Sequence, residues 1–256
     1  MLTKNQIKQI NNLQKKKFRD QLGLFSAEGN KLVSELLDAG MEASMLIFTS
    51  NWTNPQKSKY LKKAEQIIET EPATLKKVSN LKTPPSVIGI FKIPTPSYSQ
   101  EDISNSLSIL LDDLQDPGNL GTIIRIADWF GIKHIFCSPN TVDTYNPKVI
   151  QATMGAISRV NVHYTDLNQL IYKFQQEDFP VYGTFLDGEN LYEQKLSSKG
   201  FIIMGNEGKG ISSDLEKMVS QKLLIPNYPQ DAPTSESLNV SVATAIICGE
   251  FRRQFF

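Results

Sequence analysis

Short apolar runs alternate with helix-period stretches along the second half of this chain. Leu107–Leu114, His134–Cys137, Val160–Tyr164, Val181–Leu186, Phe201–Gly205 and Lys222–Pro226 predict strands. Between and after them Leu120–Phe130, Pro147–Ile157, 167–176, Ser213–Ser220 and Leu238–Phe251 predict helices. Such alternation is the pattern of an α/β domain with a mostly parallel sheet. Ser213-Asp214-Leu215-Glu216 has capping-box spacing, which would start one helix at Ser213. The first half alternates as well: helix over Lys31–Ala39, strand over Met45–Phe48, helix over Lys57–Thr70, strand over Val87–Ile90. It reads as a smaller α/β domain. Between the halves, residues 92–106 hold two prolines and four serines without hydrophobic periodicity. The expected organisation is a first domain over 1–95, a linker over 96–106 and a second domain over 107–256, with no internal repeat.

Composition narrows the class. The 256 residues are 40% hydrophobic, enough to give two domains their own cores. No apolar run approaches the roughly 20 residues that span a bilayer, and the polar opening predicts no secretory leader. Cys137 and Cys248 lie in apolar surroundings without CxxC spacing, so core packing is favoured over metal binding or a disulfide. A cytoplasmic protein without metal is expected. Net charge is zero, yet positive charge gathers at Lys4, Lys8, Lys15, Lys16, Lys17 and Arg19, and again at Lys57, Lys59, Lys62 and Lys63. Each cluster is either a nucleic-acid contact or a solvated helix face.

Three turns carry the candidate chemistry, each after an apolar run. Gln115-Asp116-Pro117-Gly118-Asn119-Leu120-Gly121 leads to Arg125; Met204-Gly205-Asn206-Glu207-Gly208-Lys209-Gly210 follows the fifth run; Ile225-Pro226 and Ser237-Leu238-Asn239-Val240-Ser241 flank the last loop. Ligands of open α/β sheets bind beyond the carboxyl ends of strands, so the three turns are placed to share one pocket. Lys209 is followed by Gly210, which excludes a phosphate loop, and the GxGxxG dinucleotide fingerprint is missing.

Together and in this order, the turns resemble the SpoU (TrmH-like) family of RNA ribose methyltransferases, over roughly residues 107–256. Phe25-Ser26-Ala27-Glu28-Gly29 and Val78-Ser79-Asn80 are similar to the ribosomal-protein-like substrate-binding domain that many members carry. The resemblance implies a SPOUT-type α/β domain with a parallel sheet and a deep trefoil knot, a rare exception to ordinary topology. It implies methyl transfer from S-adenosylmethionine to a ribose 2′-hydroxyl of RNA, by a homodimer whose interface takes up the last helix. Cofactor contacts would come from Gly205, Ile225 and Leu238, with Thr184 beside them. Gly205 suits close approach of backbone to ligand. Catalytic positions would be Asn119, Arg125, Glu207, Ser237 and Asn239.

The bland alternatives stay open at each position. Arginine stays protonated at working pH, so Arg125 would grip a phosphate and stabilise alkoxide charge rather than act as a base; its alternative is a surface pair with Asp128. Asn119 and Ser237 could cap helices, and Glu207 could orient Arg125 or cap a turn. The loop over 227–236 is longer than usual for the family and lacks its glycine. Gln151 stands where members often have a basic residue. A separate first domain favours ribosomal RNA; transfer RNA, or a non-catalytic RNA-binding assembly factor, are the alternatives.

Overall fold

A computed structural model of the protein describes residues 2–175, 179–229 and 237–255. Its backbone forms two units, Met1–Thr95 with Asp143–Arg159, and Pro96–Val142 with Val160–Phe256.

The first unit opens with helices α1 (Lys4–Asn12) and α2 (Lys16–Leu22), followed by β1 (Leu24–Glu28), α3 (Asn30–Asp38), β2 (Ala43–Phe48), α4 (Lys57–Leu61), β3 (Ala64–Glu69), α5 (Pro72–Leu75) and β4 (Val87–Lys92). Its sheet runs β1-β4-β2-β3, with β2 and β3 parallel and the other pairs antiparallel. The expected helix over Lys57–Thr70 is wrong in its second half: it ends at Leu61, and Ala64–Glu69 is an edge strand. An edge strand exposed on most of its length carries the polar spacing of a solvated helix face, which hid the two isoleucines' strand preference. Glu28, buried at the end of β1, accepts from the Asn80 backbone N–H and Nδ2, both at 2.8 Å, and from the Ser79 hydroxyl. The two similar segments of this domain therefore meet.

Residues 143–159, expected inside the second domain, belong to the first unit. They form α8 (Pro147–Thr153) and a short 3-10 turn, Ala156–Ser158. Arg19, 2% exposed, explains the attachment: its Nε donates to Asp143 Oδ2 at 3.0 Å and its Nη1 to the Leu13 carbonyl at 2.6 Å. Tyr145 also packs against Phe25, ring centroids 5.0 Å apart. Arg19 is thereby a structural cation, not part of a basic surface. Three of the four lysines of the second cluster are likewise occupied locally: Lys59 pairs with Asp38, Lys63 donates to the Leu37 carbonyl, and Lys57 lies over the Phe48 ring.

The second unit contains α6 (Gln100–Ser104), β5 (Leu107–Leu111), α7 (Pro117–Trp129), β6 (His134–Cys137), β7 (Asn161–Tyr164), α9 (Leu167–Gln175), β8 (Val181–Asn190), β9 (Gly200–Met204), α10 (Ser213–Glu216), β10 (Gln221–Leu224) and α11 (Val240–Arg253). Position 176, expected to end the ninth helix, lies outside the described residues. The expected linker is not irregular throughout: Ser99 and Asp102 form a capping box for α6, and Ile103 is buried in the core. The capping box expected at Ser213 is absent, since Ser212 stands at the N-cap and its side chain makes no capping bond. All six strands are parallel, in the order β10-β8-β9-β5-β6-β7. β9 thus inserts between β5 and β8, where a doubly wound sheet of the usual order would set β8 beside β5. One face of the sheet packs on α9 through Leu167, Leu170, Ile171 and Phe174. Cys137 and Cys248 are buried free thiols, and burial pushes the Cys248 pKa up to about 12. No helix of the described residues is long and apolar enough to cross a membrane.

The only two histidines of the chain pair inside this unit, His134 Nδ1 to His163 Nε2 at 3.2 Å, with the Tyr98 ring against both. Burial lowers the pKa of each; nearby Asp102 partly opposes this at His134, and His163 falls to about 4. Below pH about 6.5 an unfolded chain binds protons that the folded pair refuses, so stability declines as pH falls from there toward 4. His163→Gln should flatten the urea-midpoint curve in that window, by up to about 1.4 kcal/mol per pH unit for one proton. Parallel curves for the variant and the wild type would contradict the assignment.

Candidate active site

At the carboxyl ends of β8, β9 and β10 the second unit opens a cleft of about 600 Å³, within the roughly 300–1,000 Å³ usual for small-molecule sites. Three loop segments line it. The first comes from β8. Lys222 pairs with Gly183 but the next residue, Leu223, pairs with Glu189, so residues 184–188 bulge out of the ladder. The bulge carries Thr184, Phe185 and Leu186 onto the cleft wall. It can close because Gly188 has no Cβ; one there would lie 2.7 Å from the Leu223 carbonyl carbon.

The loop after β9 supplies the second segment, Gly205–Gly210. A Cβ on Gly205 would meet the Gly210 carbonyl carbon at 2.3 Å and the Ile211 nitrogen at 2.4 Å. The glycine is required whatever binds there, because the chain's own backbone crosses at this point. Asn206, missed in the sequence, organises the turn. Its Oδ1 accepts from the N–H groups of Gly208 and Lys209 at 3.0 and 3.1 Å, and its Nδ2 donates to the Asp113 carbonyl at 2.7 Å. An asparagine two residues before a glycine was the available signal, an Asx-turn. Ile225, Ser237, Leu238 and Asn239 supply the third segment. Residues 230–236, most of the long loop noted in the sequence, lie outside the described residues.

A chain of hydrogen bonds ties these segments to α7. The Glu207 carboxylate accepts from the backbone N–H of Gln115 at 3.2 Å, of Asp116 at 3.0 Å, and from Asn119 Nδ2 at 3.1 Å. Asn119 Oδ1 in turn accepts from Asn239 Nδ2 at 3.0 Å. Asn239 is the N-cap of α11, its Oδ1 accepting from the N–H of Ser241 and Val242. Ser237 is therefore not the cap. Asn119 is not the cap of α7 either; Asp116 is, with Oδ1 accepting from the Asn119 N–H at 2.8 Å. Burial raises the Glu207 pKa, but the donors at Asp116, Asn119 and Gln115 outweigh it and leave the group below the usual carboxylate range. Glu207 thus stays ionised and orients Asn119, where orientation of Arg125 had been an alternative.

Arg125 stands apart from this chain of bonds. It is exposed and does not line the cleft, and among the described residues it has no hydrogen bond or ion pair, with Asp128 or otherwise. Six residues beyond Asn119, it is about 9 Å further along the helix and about 120° away around it. Thr184, Gly205, Glu207, Ile225, Ser237, Leu238 and Asn239 are brought together at the cleft, and Asn119 joins them through its bonds. No group of three or more potential metal ligands occurs among the described residues.

The profile of the SpoU rRNA methylase family matches residues 106–249, which include every residue of this cleft. The chain belongs to that family. A second profile, that of the MRM3-like substrate binding domain, matches residues 4–89. Among relatives, the 23S rRNA (guanosine(2553)-2′-O)-methyltransferase RlmP of Bacillus subtilis is 30% identical over 97% of each chain. Among solved structures, a TrmH-family protein from Porphyromonas gingivalis superposes with a TM-score of 0.85 at 36% identity, covering 99% of each chain. An AdoMet-bound rRNA methyltransferase from Sinorhizobium meliloti gives a TM-score of 0.86 at 28% identity, over 100% of this chain and 97% of that one.

The SpoU cleft suits the donor implied for the family. Apolar residues make up much of its lining, and two of them, Leu186 and Leu238, are 73% and 48% exposed. If Glu207 acts through Asn119, Glu207→Ala and Asn119→Ala should be non-additive in urea unfolding, with a coupling of about 1 kcal/mol. Additivity within about 0.3 kcal/mol would mean that Glu207 works through the two backbone donors alone.

Proposed function

We infer that the protein transfers a methyl group from S-adenosylmethionine to a ribose 2′-hydroxyl of ribosomal RNA. The observation that carries this is that two motif segments, far apart in sequence, line one cleft at the carboxyl ends of parallel strands, and that the third is hydrogen-bonded to both. The match of both halves to family profiles, with the first half matched to a substrate-binding domain, favours ribosomal RNA over transfer RNA. Retention of Asn119, Arg125 and Glu207 together favours catalysis over a purely RNA-binding role.

When bound, S-adenosylmethionine supplies a methyl already activated on a sulfonium. The chain's own work is then to position the acceptor and help its proton leave. Backbone at Gly205, Ile225 and Leu238, with Thr184 on the bulge, forms the donor's wall. Asn119, held at Oδ1 by Asn239 and at Nδ2 by Glu207, keeps one amide hydrogen and one lone pair for the acceptor ribose. Ser237 and Asn239 close the same side of the cleft. Arg125, which does not line this cleft, acts in the homodimer on the acceptor of the other protomer, gripping the adjacent phosphate and stabilising negative charge on O2′, while the proton passes to that phosphate or to water. Its lack of a partner among the described residues leaves its five donors available for this. In the first unit, exposed Lys4, Lys8, Lys15 and Lys17 extend the RNA contact.

A trefoil knot within 107–256, a homodimer and a cytoplasmic location complete this proposal. The dimer is supported by exposed apolar groups at the ends of α7 and α11, Trp129 at 86%, Val242 at 48% and Phe255 at 51%.

Incubation with methyl-tritiated S-adenosylmethionine and total RNA, followed by nuclease mapping, should label a ribose of ribosomal RNA. Label confined to transfer RNA, or none, would overturn the proposal. Arg125→Ala should lower turnover far more than donor affinity. Activity retained within a factor of about ten, roughly 1.4 kcal/mol, would remove Arg125 from its role.

A further inference from the structure

Lys209 and Glu207 are the only charged residues lining the cleft among the described residues, and their situations are opposite. Glu207 has its carboxylate filled by three donors from the start of α7. Lys209 is exposed, and its ammonium has no partner among the described residues. Several other surface lysines are neutralised locally, Lys16 by Asp20, Lys59 by Asp38, Lys92 by Glu42 and Glu65, Lys217 by Asp214, and Lys222 by Asp187 and Glu216, and none of these lines the cleft.

The backbone under Lys209 is pinned. Asn206 and Gly210 exchange N–H···O bonds of 2.9 and 3.0 Å, and Asn206 Oδ1 holds the Lys209 N–H at 3.1 Å. Gly210 closes the turn at φ +69°, a left-handed conformation that glycine adopts without cost. A cation carried on a fixed turn, at the lip of a cleft and without a counter-charge, is pre-placed for an anion from outside the chain.

We propose that Lys209 binds a backbone phosphate of the substrate RNA at the mouth of the cleft, as a second cation in addition to Arg125; this presupposes the methyltransferase function proposed above. The alternative anion is the carboxylate of the donor's methionine end. Charge decides between them. The donor is a zwitterion bearing an added sulfonium, net positive, and a lysine facing it without an acidic partner would oppose its binding. RNA carries one uncompensated negative charge per nucleotide, and neutralising one phosphate releases a counterion.

Filter retention of deproteinised ribosomal RNA on the full-length protein, measured from roughly 0.05 to 0.2 M KCl, tests this, with donor affinity read separately by equilibrium dialysis. Lys209→Met should weaken RNA retention several-fold at the lowest salt and reduce the slope of log K against log[KCl] by about 0.7–0.9. Donor affinity should change less than twofold, and Lys209→Arg should restore both the retention and the slope. An unchanged slope in Lys209→Met overturns the proposal. So does weakened donor binding with RNA retention intact, which would give the lysine to the methionine carboxylate. A wild type that neither retains ribosomal RNA nor labels it overturns the underlying function as well, which separates the two failures.

Discussion

The cleft depends on one carboxylate. Glu207 lies at the start of α7, where unpaired N–H groups and the helix dipole favour negative charge, and takes three donors there at 3.0–3.2 Å. Through Asn119 it reaches Asn239, so the entrances of α7 and α11 and the loop after β9 are joined by one line of hydrogen bonds. The residues joined are 88 and 120 positions apart in sequence. Such spans are tolerable because closure entropy grows only logarithmically with length, and the parallel sheet has already brought the strand ends together. Burial works against the charge at Glu207, and the donors overcome it.

Around that line of bonds, the cleft walls are formed by tightly turned segments. Two glycines make it possible, each by omitting a Cβ where the chain meets itself: Gly205 against Gly210–Ile211, and Gly188 against Leu223. The bulge at 184–188 and the turn at 205–210 are therefore packed against their own neighbours.

Much of this was legible in the sequence. The central strands β5, β6 and β9 announced themselves as short apolar runs, because strands covered on both faces need apolar residues throughout. Seven of the expected site residues meet at the cleft, since motif order and strand-end placement together constrain where they lie. What stayed hidden depended on tertiary partners. The edge strand at Ala64–Glu69 read as helix because only packing against β2 distinguishes its half-exposed pattern. The attachment of 143–159 to the first unit rests on the buried Arg19–Asp143 pair, and a lysine-rich stretch gives no sign that one member turns inward. The packing reason for Gly205 stayed hidden because a sequence shows that a Cβ is unwanted but not what it would strike.

The most direct measurement is a crystal of the protein soaked with S-adenosylmethionine. The account predicts donor density in the second unit, walled by Thr184, Gly205, Ile225 and Leu238, with Glu207 still bonded to Asn119. Saturating donor with no density there, or with density at another site, would contradict it.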